Sequence, residues 1–199
     1  MKPETIIKLL LVDDHPVVRD GLRRIQELEP RIQIVAEAGT MLSAVEAARR
    51  INGWSDTRPH LAHIQVVHPD DLPRFRRLGA LANAQPLWAV LEDQMTELTL
   101  PVLGPVVSAR QYPFRSLRDH GATLVLGSDW AVSTPDPFLQ MEVAVTRVAD
   151  SLRGVAEPFL PDERLDLADI LAAATAGSAH ASHLDEAGVL AVGRVADLA

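Results

Sequence analysis

Two acidic residues and a histidine stand together at Asp13-Asp14-His15, directly behind the apolar run Ile6–Val12. Adjacent carboxylates at the carboxyl end of a buried strand are hard oxygen ligands of the kind Mg²⁺ takes. Further along, His63 sits inside the apolar stretch Leu61–Val67, and Asp129 follows Leu124-Val125-Leu126-Gly127-Ser128. An apolar strand ejects its polar group at the sheet edge, where that group can meet a ligand. A lone histidine in a strand can equally be a hydrogen-bonded core or edge residue, and a lone aspartate after one a turn residue. His60 and His68 read as a loop residue and a strand-end residue. His180 and His183 are spaced i, i+3 on a helical stretch, which allows a metal pair or a plain exposed face.

Composition narrows the chemistry. There is no cysteine, which excludes disulfides, zinc–thiolate sites and thiol nucleophiles together and fits a reducing cytoplasm. The net charge of -8, without a run of Lys or Arg, argues against nucleic acid as the main partner. No signal peptide is expected behind Met-Lys-Pro-Glu-Thr, and the longest apolar run is broken by Lys8 and too short to span a bilayer. With 47% hydrophobic and 23% charged residues the chain can bury a core. We therefore expect a soluble, cytoplasmic protein.

These residues need elements to position them. Short apolar runs alternate with helical patterns, the signature of a parallel sheet covered by helices. Ile6–Val12 reads as a buried strand and Pro16–Leu28 as a helix. Ile32–Ala36 is a second strand, and Leu42–Ile51 a second helix that Thr40 could cap. The polar stretch Asn52–Pro59 marks the main boundary. Leu61–Val67 is a third strand, followed by a helix with Asp70 as N-cap, Pro73 at N3 and Gly79 at its end. Ala80–Ala84 is a fourth strand. The stretch Gln85–Val107, poor in periodicity and interrupted by prolines, reads as a long ordered loop of the lid type. Arg110–His120 is predicted helical despite Pro113. Ala122–Leu126 is the fifth strand. Asp136-Pro137 begins a helix reaching about Leu152, and Leu167–His183 is the last helical region. The tail from Gly188 has strand-like apolar content.

The run Ile7-Lys8-Leu9-Leu10-Leu11-Val12-Asp13-Asp14-His15-Pro16-Val17-Val18-Arg19-Asp20-Gly21-Leu22 resembles the start of a response-regulator receiver domain, and the likeness continues through Ile34-Val35-Ala36-Glu37-Ala38-Gly39. It implies that Asp13 and Asp14 hold Mg²⁺. The family also needs a phospho-accepting Asp after its third strand, then a hydroxyl residue and a Lys after later ones. Here the third strand ends in Val67-His68-Pro69-Asp70 and the fifth in Gly-Ser-Asp-Trp, so we assign no phospho-acceptor. A magnesium pair without its acceptor performs no chemistry, and in this chain Asp13 and Asp14 read as a solvated acidic loop end.

From Arg58 the likeness changes. Arg58-Pro59-His60-Leu61-Ala62-His63-Ile64-Gln65-Val66-Val67-His68-Pro69-Asp70-Asp71-Leu72, Asn83-Ala84-Gln85-Pro86-Leu87-Trp88-Ala89, Gln111-Tyr112-Pro113-Phe114-Arg115-Ser116-Leu117, Leu126-Gly127-Ser128-Asp129-Trp130 and Gly188-Val189-Leu190-Ala191-Val192-Gly193-Arg194-Val195-Ala196-Asp197-Leu198 resemble, in order, the later part of a type-3 amidohydrolase. The resemblance implies a distorted (β/α)₈ barrel with metal ligands at the carboxyl ends of the strands. It implies His63 as a metal ligand, and Asp129 as the carboxylate that touches metal and acts as base. It implies a divalent metal, zinc first, that acidifies water for attack on an amide-like carbonyl. The family's first-strand His-x-His pair is nowhere in this sequence, and Trp88 stands where many members have a further His.

The expected fold class is α/β: a partial (β/α) barrel of amidohydrolase type behind two receiver-like βα units, or alternatively a five-stranded flavodoxin-like hybrid sheet. The expected domains are 1–52 (truncated receiver-like segment), 53–186 (partial barrel) and 187–199 (truncated β-domain tail). A natural fusion, a designed chimera and an assembly artefact would all produce such a mosaic. The expected function is that of an amidohydrolase-derived segment, ancestrally cleaving C–N bonds of amide or N-formyl type and inactive alone. The alternative is a phosphorelay signalling or interaction module. Expected partners are a small amide-like substrate and further copies of the chain, with neither nucleic acid nor membrane.

Overall fold

The computed structural model describes residues 6–154 and 157–195. The chain divides into two compact units, Met1–Thr57 and Arg58–Ala199.

In the first unit, β1 (Ile7–Val12) pairs in parallel with β2 (Ile32–Ala38), with a register shift between Leu9 and Leu10. The helix α1 (Pro16–Gln26) follows β1, with Pro16 in its first turn, where a missing N–H costs nothing. The helix α2 (Met41–Asn52) is capped by Thr40, whose hydroxyl accepts from the Ser43 N–H at 3.2 Å, and is closed by Gly53 at φ 76°. Its buried residues are few: Ala38, Leu42, Ala44 and Ala47. The strand expected to be buried, Ile7–Val12, is exposed to half-buried along its length, because a two-stranded sheet with α1 burying no residue cannot cover it.

In the second unit, β3 (His60–Ala62), β4 (Leu81–Ala84) and β5 (Leu124–Leu126) form a parallel sheet in that order. Between β3 and β4 runs α3 (Leu72–Leu78), and between β4 and β5 run α4 (Leu100–Ser108) and α5 (Phe114–Asp119). After β5 come α6 (Pro137–Thr146), α7 (Leu167–Ala172) and, beyond a π-helical turn, α8 (Ser178–Ala181). Phe75, Ala82, Ala84, Phe114, Val143 and Ile170 are all but sealed from solvent between sheet and helices. Gly177 lets the last helical run lie flat on β5: a Cβ there would overlap the Leu124 carbonyl oxygen.

Several expectations need correction. The single five-stranded sheet does not form. Among the described residues β1 and β2 make one sheet and β3 to β5 another. The third strand stops at Ala62 rather than Val67, since His63 and Ile64 turn into the left-handed region at φ 64° and 42°. Val66 keeps only an isolated antiparallel bridge to Gln111. The stretch expected to be a loop is largely helical, with a π-helix at Gln94–Thr99 leading into α4. Pro101 falls in the first turn of α4, and the break associated with Pro105 is absorbed by Gly104 at φ 68°. Asp70 is not the cap of α3. A 3-10 turn over Pro69–Asp71 comes first, capped by the His68 ring, which accepts from the Asp70 N–H at 3.3 Å, and α3 begins only at Leu72, with Asp71 at its N-cap and no side-chain capping bond.

The helix begun by Asp136, which accepts from the N–H groups of Phe138 and Leu139, ends at Thr146 and not Leu152. There Arg147 turns to φ 60° and buries its side chain. The tail from Gly188 forms no strand among its described residues, with Leu190 and Val192 fully in solvent, and residues 196–199 lie outside the described part.

Candidate functional site

The parallel sheet puts the carboxyl ends of β3, β4 and β5 on one edge, and each delivers a polar side chain there. His63 is the first residue past β3, Gln85 the first past β4, and Asp129 lies three residues beyond β5. His63 Nε2 and Asp129 Oδ1 stand 3.9 Å apart. The imidazole is 59% exposed and the carboxylate 26%, so the pair opens to solvent. Both residues occupy left-handed backbone, Asp129 at φ 57°, which a side chain adopts only when its surroundings hold it there.

What holds His63 is Gln85. Its Oε1 accepts from the His63 N–H at 2.5 Å, and its Nε2 donates to Asn83 Oδ1 at 2.8 Å. Gly127 makes room for this relay, since a Cβ there would overlap Asn83 Oδ1 and Gln85 Nε2. On the other side, the Ser133 hydroxyl donates to the Ser128 carbonyl, and the N–H groups of Val132 and Ser133 donate to the Asp129 carbonyl at 2.7 and 3.1 Å. The turn that presents Asp129 is thus closed on itself.

A cavity of about 350 Å³ opens at this edge, lined among others by His63, Trp88, Glu92, Met95, Tyr112 and Asp129. Tyr112 is buried, sits at φ 47° and is tied by its N–H to the Gln65 carbonyl at 2.8 Å. Burial pushes its phenol up to about 12, against the opposing pull of Arg147. Arg147 itself is fully buried under the rings of Phe114 and Phe159, and donates to the carbonyls of Phe159 and Tyr112 at 2.8 and 3.1 Å. Burial lowers its pKa to about 10, with Glu163 and Tyr112 opposing. The Trp88 indole N–H is buried without a partner among the described residues.

The other sequence candidates lie elsewhere. Asp13, Asp14 and His15 cluster in the first unit, the only such trio among the described residues whose donor atoms could share an ion. There the His15 N–H donates to Asp13 Oδ1 at 2.8 Å, and His15 Nδ1 lies 2.9 Å from Asp14 Oδ1. His60 Nδ1 is 3.5 Å from the Asn83 amide. His180 faces Asp185 at 3.6 Å, and His183 lies past the end of α8 at φ 56°, so the two do not share one helical face. Sequence reasoning missed Gln85 and Tyr112. The only available signal was that each lies in one of the blocks carrying the family resemblance.

The sequence model of the Amidohydrolase family matches residues 13–199. The chain belongs to the amidohydrolase family. The match begins at Asp13, inside the segment that resembles a receiver. Among curated proteins, LONG AFTER FAR-RED 3 of Arabidopsis thaliana is 32% identical over 159 residues, 79% of this chain and 26% of that protein. The nitrate/nitrite response regulator NarP of Escherichia coli is 42% identical over 52 residues, 26% of this chain and 24% of its own length. Among solved structures, an uncharacterized metal-dependent hydrolase from Pyrococcus horikoshii superposes at TM-score 0.58 and 22% identity, covering 94% of this chain and 39% of that one. Another from Pyrococcus furiosus superposes at 0.55 and 20%, covering 97% and 40%. At such identities these structures show the amidohydrolase-type fold alone. The chain spans about a quarter of the length of the plant relative and about 40% of each structure.

The family implies a metal, and the donor set can be tested against one. The nitrogen and oxygen donors stand 3.9 Å apart, wider than the ~3.3 Å that two tetrahedral positions around a zinc ion would span, so the pair must draw together to share one. A catalytic ion wants about three protein ligands plus water. No third described His, Asp or Glu brings an atom into reach of both. The residues present do not by themselves fit a catalytic ion. Among the described residues no helix is long and apolar enough to cross a membrane.

Proposed function

We propose that residues 58–199 are an amidohydrolase-derived half-site for the hydrolysis of C–N bonds of amide or N-formyl type, inactive alone. In this reading β3 to β5 are wall strands of a partial barrel, residues 187–199 are a tail to it, and a receiver-derived segment joins them near Asn52. The observation that carries it is the donor count: His63 and Asp129 meet at 3.9 Å and nothing described completes the set. A divalent metal, zinc first, is the cofactor such a pair would hold weakly. In a complete site the ion would supply an acidified water. The chain's own contribution is to fix His63 through Gln85 and to aim the Asp129 carboxylate, a potential proton acceptor, at the same cavity. A completed site would take a small amide-like molecule, in the cytoplasm and apart from nucleic acid and membrane.

The test is the purified chain with zinc, offered an N-formyl amine beside a His63→Ala, Asp129→Ala control. Turnover should equal that of the control, while zinc affinity, read by competition with a chromophoric chelator, should fall about tenfold or more in the double variant. Zinc-dependent turnover that the double variant abolishes would overturn the proposal.

A second reading, a receiver-derived signalling module, draws on the Asp13-Asp14-His15 cluster and the likeness to NarP. It requires a phosphate adduct in intact mass after incubation with acetyl phosphate and Mg²⁺. We expect none, because no acceptor aspartate accompanies the pair.

A further inference from the structure

The sheet of the first unit has two edges, and the sequence protects one of them. In β2 the register with β1 skips Val35, and Glu37 is held by Arg23 at 2.8 Å and Arg19 at 3.5 Å. A bulge and charged side chains are how an edge strand is kept from pairing further. The outer side of β1 has no bulge, and Lys8 is the only charge among its six residues. No strand pairs with that side among the described residues, and Ile7 and Leu9 are 53% and 37% exposed. Two strands make a marginal sheet, and a third is what stabilises one.

Which groups face outward follows from the ladder. The N–H groups of Ile7 and Asp13 donate inward, to the carbonyls of Arg31 and Ala38. Backbone direction alternates along a strand, so Leu9 and Leu11 also face β2, whereas the N–H and C=O groups of Lys8, Leu10 and Val12 face away from it. A two-fold axis normal to the sheet keeps each side chain on its own face, so it brings up an antiparallel strand and pairs residues of the same parity. Centred on Leu9, such an axis sets Lys8 diagonal to Lys8 of the second copy. Centred on Leu10, it pairs Leu10 with Leu10, Lys8 with Val12 and Leu9 with Leu11. Lys8 then lies diagonal to Asp14 of the second copy, whose side chain is 79% exposed, and opposite charges replace like ones.

We propose that β1 is the interface of a two-fold dimer of this chain, its two copies antiparallel about Leu10 in a four-stranded sheet of order β2-β1-β1-β2. Each pair of outward-facing residues exchanges two main-chain hydrogen bonds, and the Leu9–Leu11 contacts cover apolar surface that one copy leaves in water. The protected edge of β2 bounds the sheet on both sides, so assembly through this sheet stops at two copies.

Sedimentation equilibrium of the full chain should show monomer passing to dimer as concentration rises. Leu10→Pro removes an N–H that the β1-β2 ladder does not use, and should weaken dimerisation about tenfold or more while circular dichroism shows the helices retained. If that variant unfolds, Lys8→Glu at an exposed position carries the same test. It sets like charge beside Asp14 and should weaken the dimer, and adding Asp14→Lys should restore it. Cysteine reads the register, since the chain has none of its own. Leu10→Cys should oxidise to a disulfide-linked dimer, the facing Cα atoms standing about 5.5 Å apart. Lys8→Cys should not, its two copies lying about 14 Å apart along the strands. A monomer at every concentration, a dimer that neither Leu10→Pro nor Lys8→Glu weakens, or Lys8→Cys linking as readily as Leu10→Cys would overturn the proposal. None of these positions belongs to the His63–Asp129 pair, so the zinc and turnover tests stand apart from it.

Discussion

Replacing Gln85 with alanine removes an acceptor and a donor from a place that water barely reaches, since the residue is 4% exposed. The His63 N–H then loses its partner, at a cost of about 1–3 kcal/mol for a donor left unmade. That bond also holds consecutive left-handed residues, His63 and Ile64, in a region that costs about 1–3 kcal/mol for each non-glycine residue. Part of this strain is released when the bond goes, which offsets part of the loss. Asn83 is half-buried and regains some hydration. The net expectation is a loss of about 1–2 kcal/mol, which for a unit of this size is a fall in Tm of about 3–6 °C.

Urea and thermal denaturation followed by tryptophan fluorescence would measure it, since Trp88 and Trp130 lie close along the chain to Gln85 and Asp129. Gln85→Glu keeps the acceptor, and the Asn83 amide can turn to donate, so it should recover about half the loss. Zinc affinity should fall in Gln85→Ala although neither donor has changed, as it does when the groups orienting a ligand are removed. A change below about 0.5 kcal/mol, the range of an ordinary surface substitution, would refute the reasoning, as would Gln85→Glu being worse than Gln85→Ala.

Gly127→Ala attacks the same relay from the other side. Its Cβ displaces Asn83 and Gln85, and a loss of about 1–3 kcal/mol is expected in the same melts. Gly21→Ala, by contrast, adds a methyl inside α1 that meets nothing, and should stabilise the first unit by up to about 1 kcal/mol, read by hydrogen exchange of α1 amides. Asp185 receives both Arg58 terminal nitrogens at 2.7 and 2.8 Å, and that hydrogen bonding holds its carboxyl below the usual range. Its contribution is present above the unfolded value, about pH 4, and is lost as pH falls through the lowered one. Asp185→Asn should therefore cost stability at pH 7 and converge on the wild type in acid. Finally, Trp130, Val132 and Phe138 are each at least 69% exposed, so light scattering should show mass rising with concentration; a constant monomer mass would refute this.

What could be read along the chain was the part settled within a few residues. Thr40 and Asp136 cap their helices because a side-chain oxygen two or three positions upstream meets an otherwise unpaired N–H. Gly79 ends α3 at φ 62° because it has no Cβ to clash there. The apolar runs that became β4 and β5 were legible for the same reason. The helices within 94–108 were not, since prolines that break a helix interior are harmless in a first turn, and only the fold decides where the first turn falls.

The premature end of β3 was hidden too, because the bond that turns His63 out of the strand comes from Gln85, just past the next strand of the sheet. Periodicity carries no record of strand order. That His63 and Asp129 share an edge follows only from the parallel β3-β4-β5 arrangement, and the burial of Tyr112 beside them follows from Arg147 packing behind it. Local chemistry chose the elements, and contacts between residues distant in sequence chose what those elements hold.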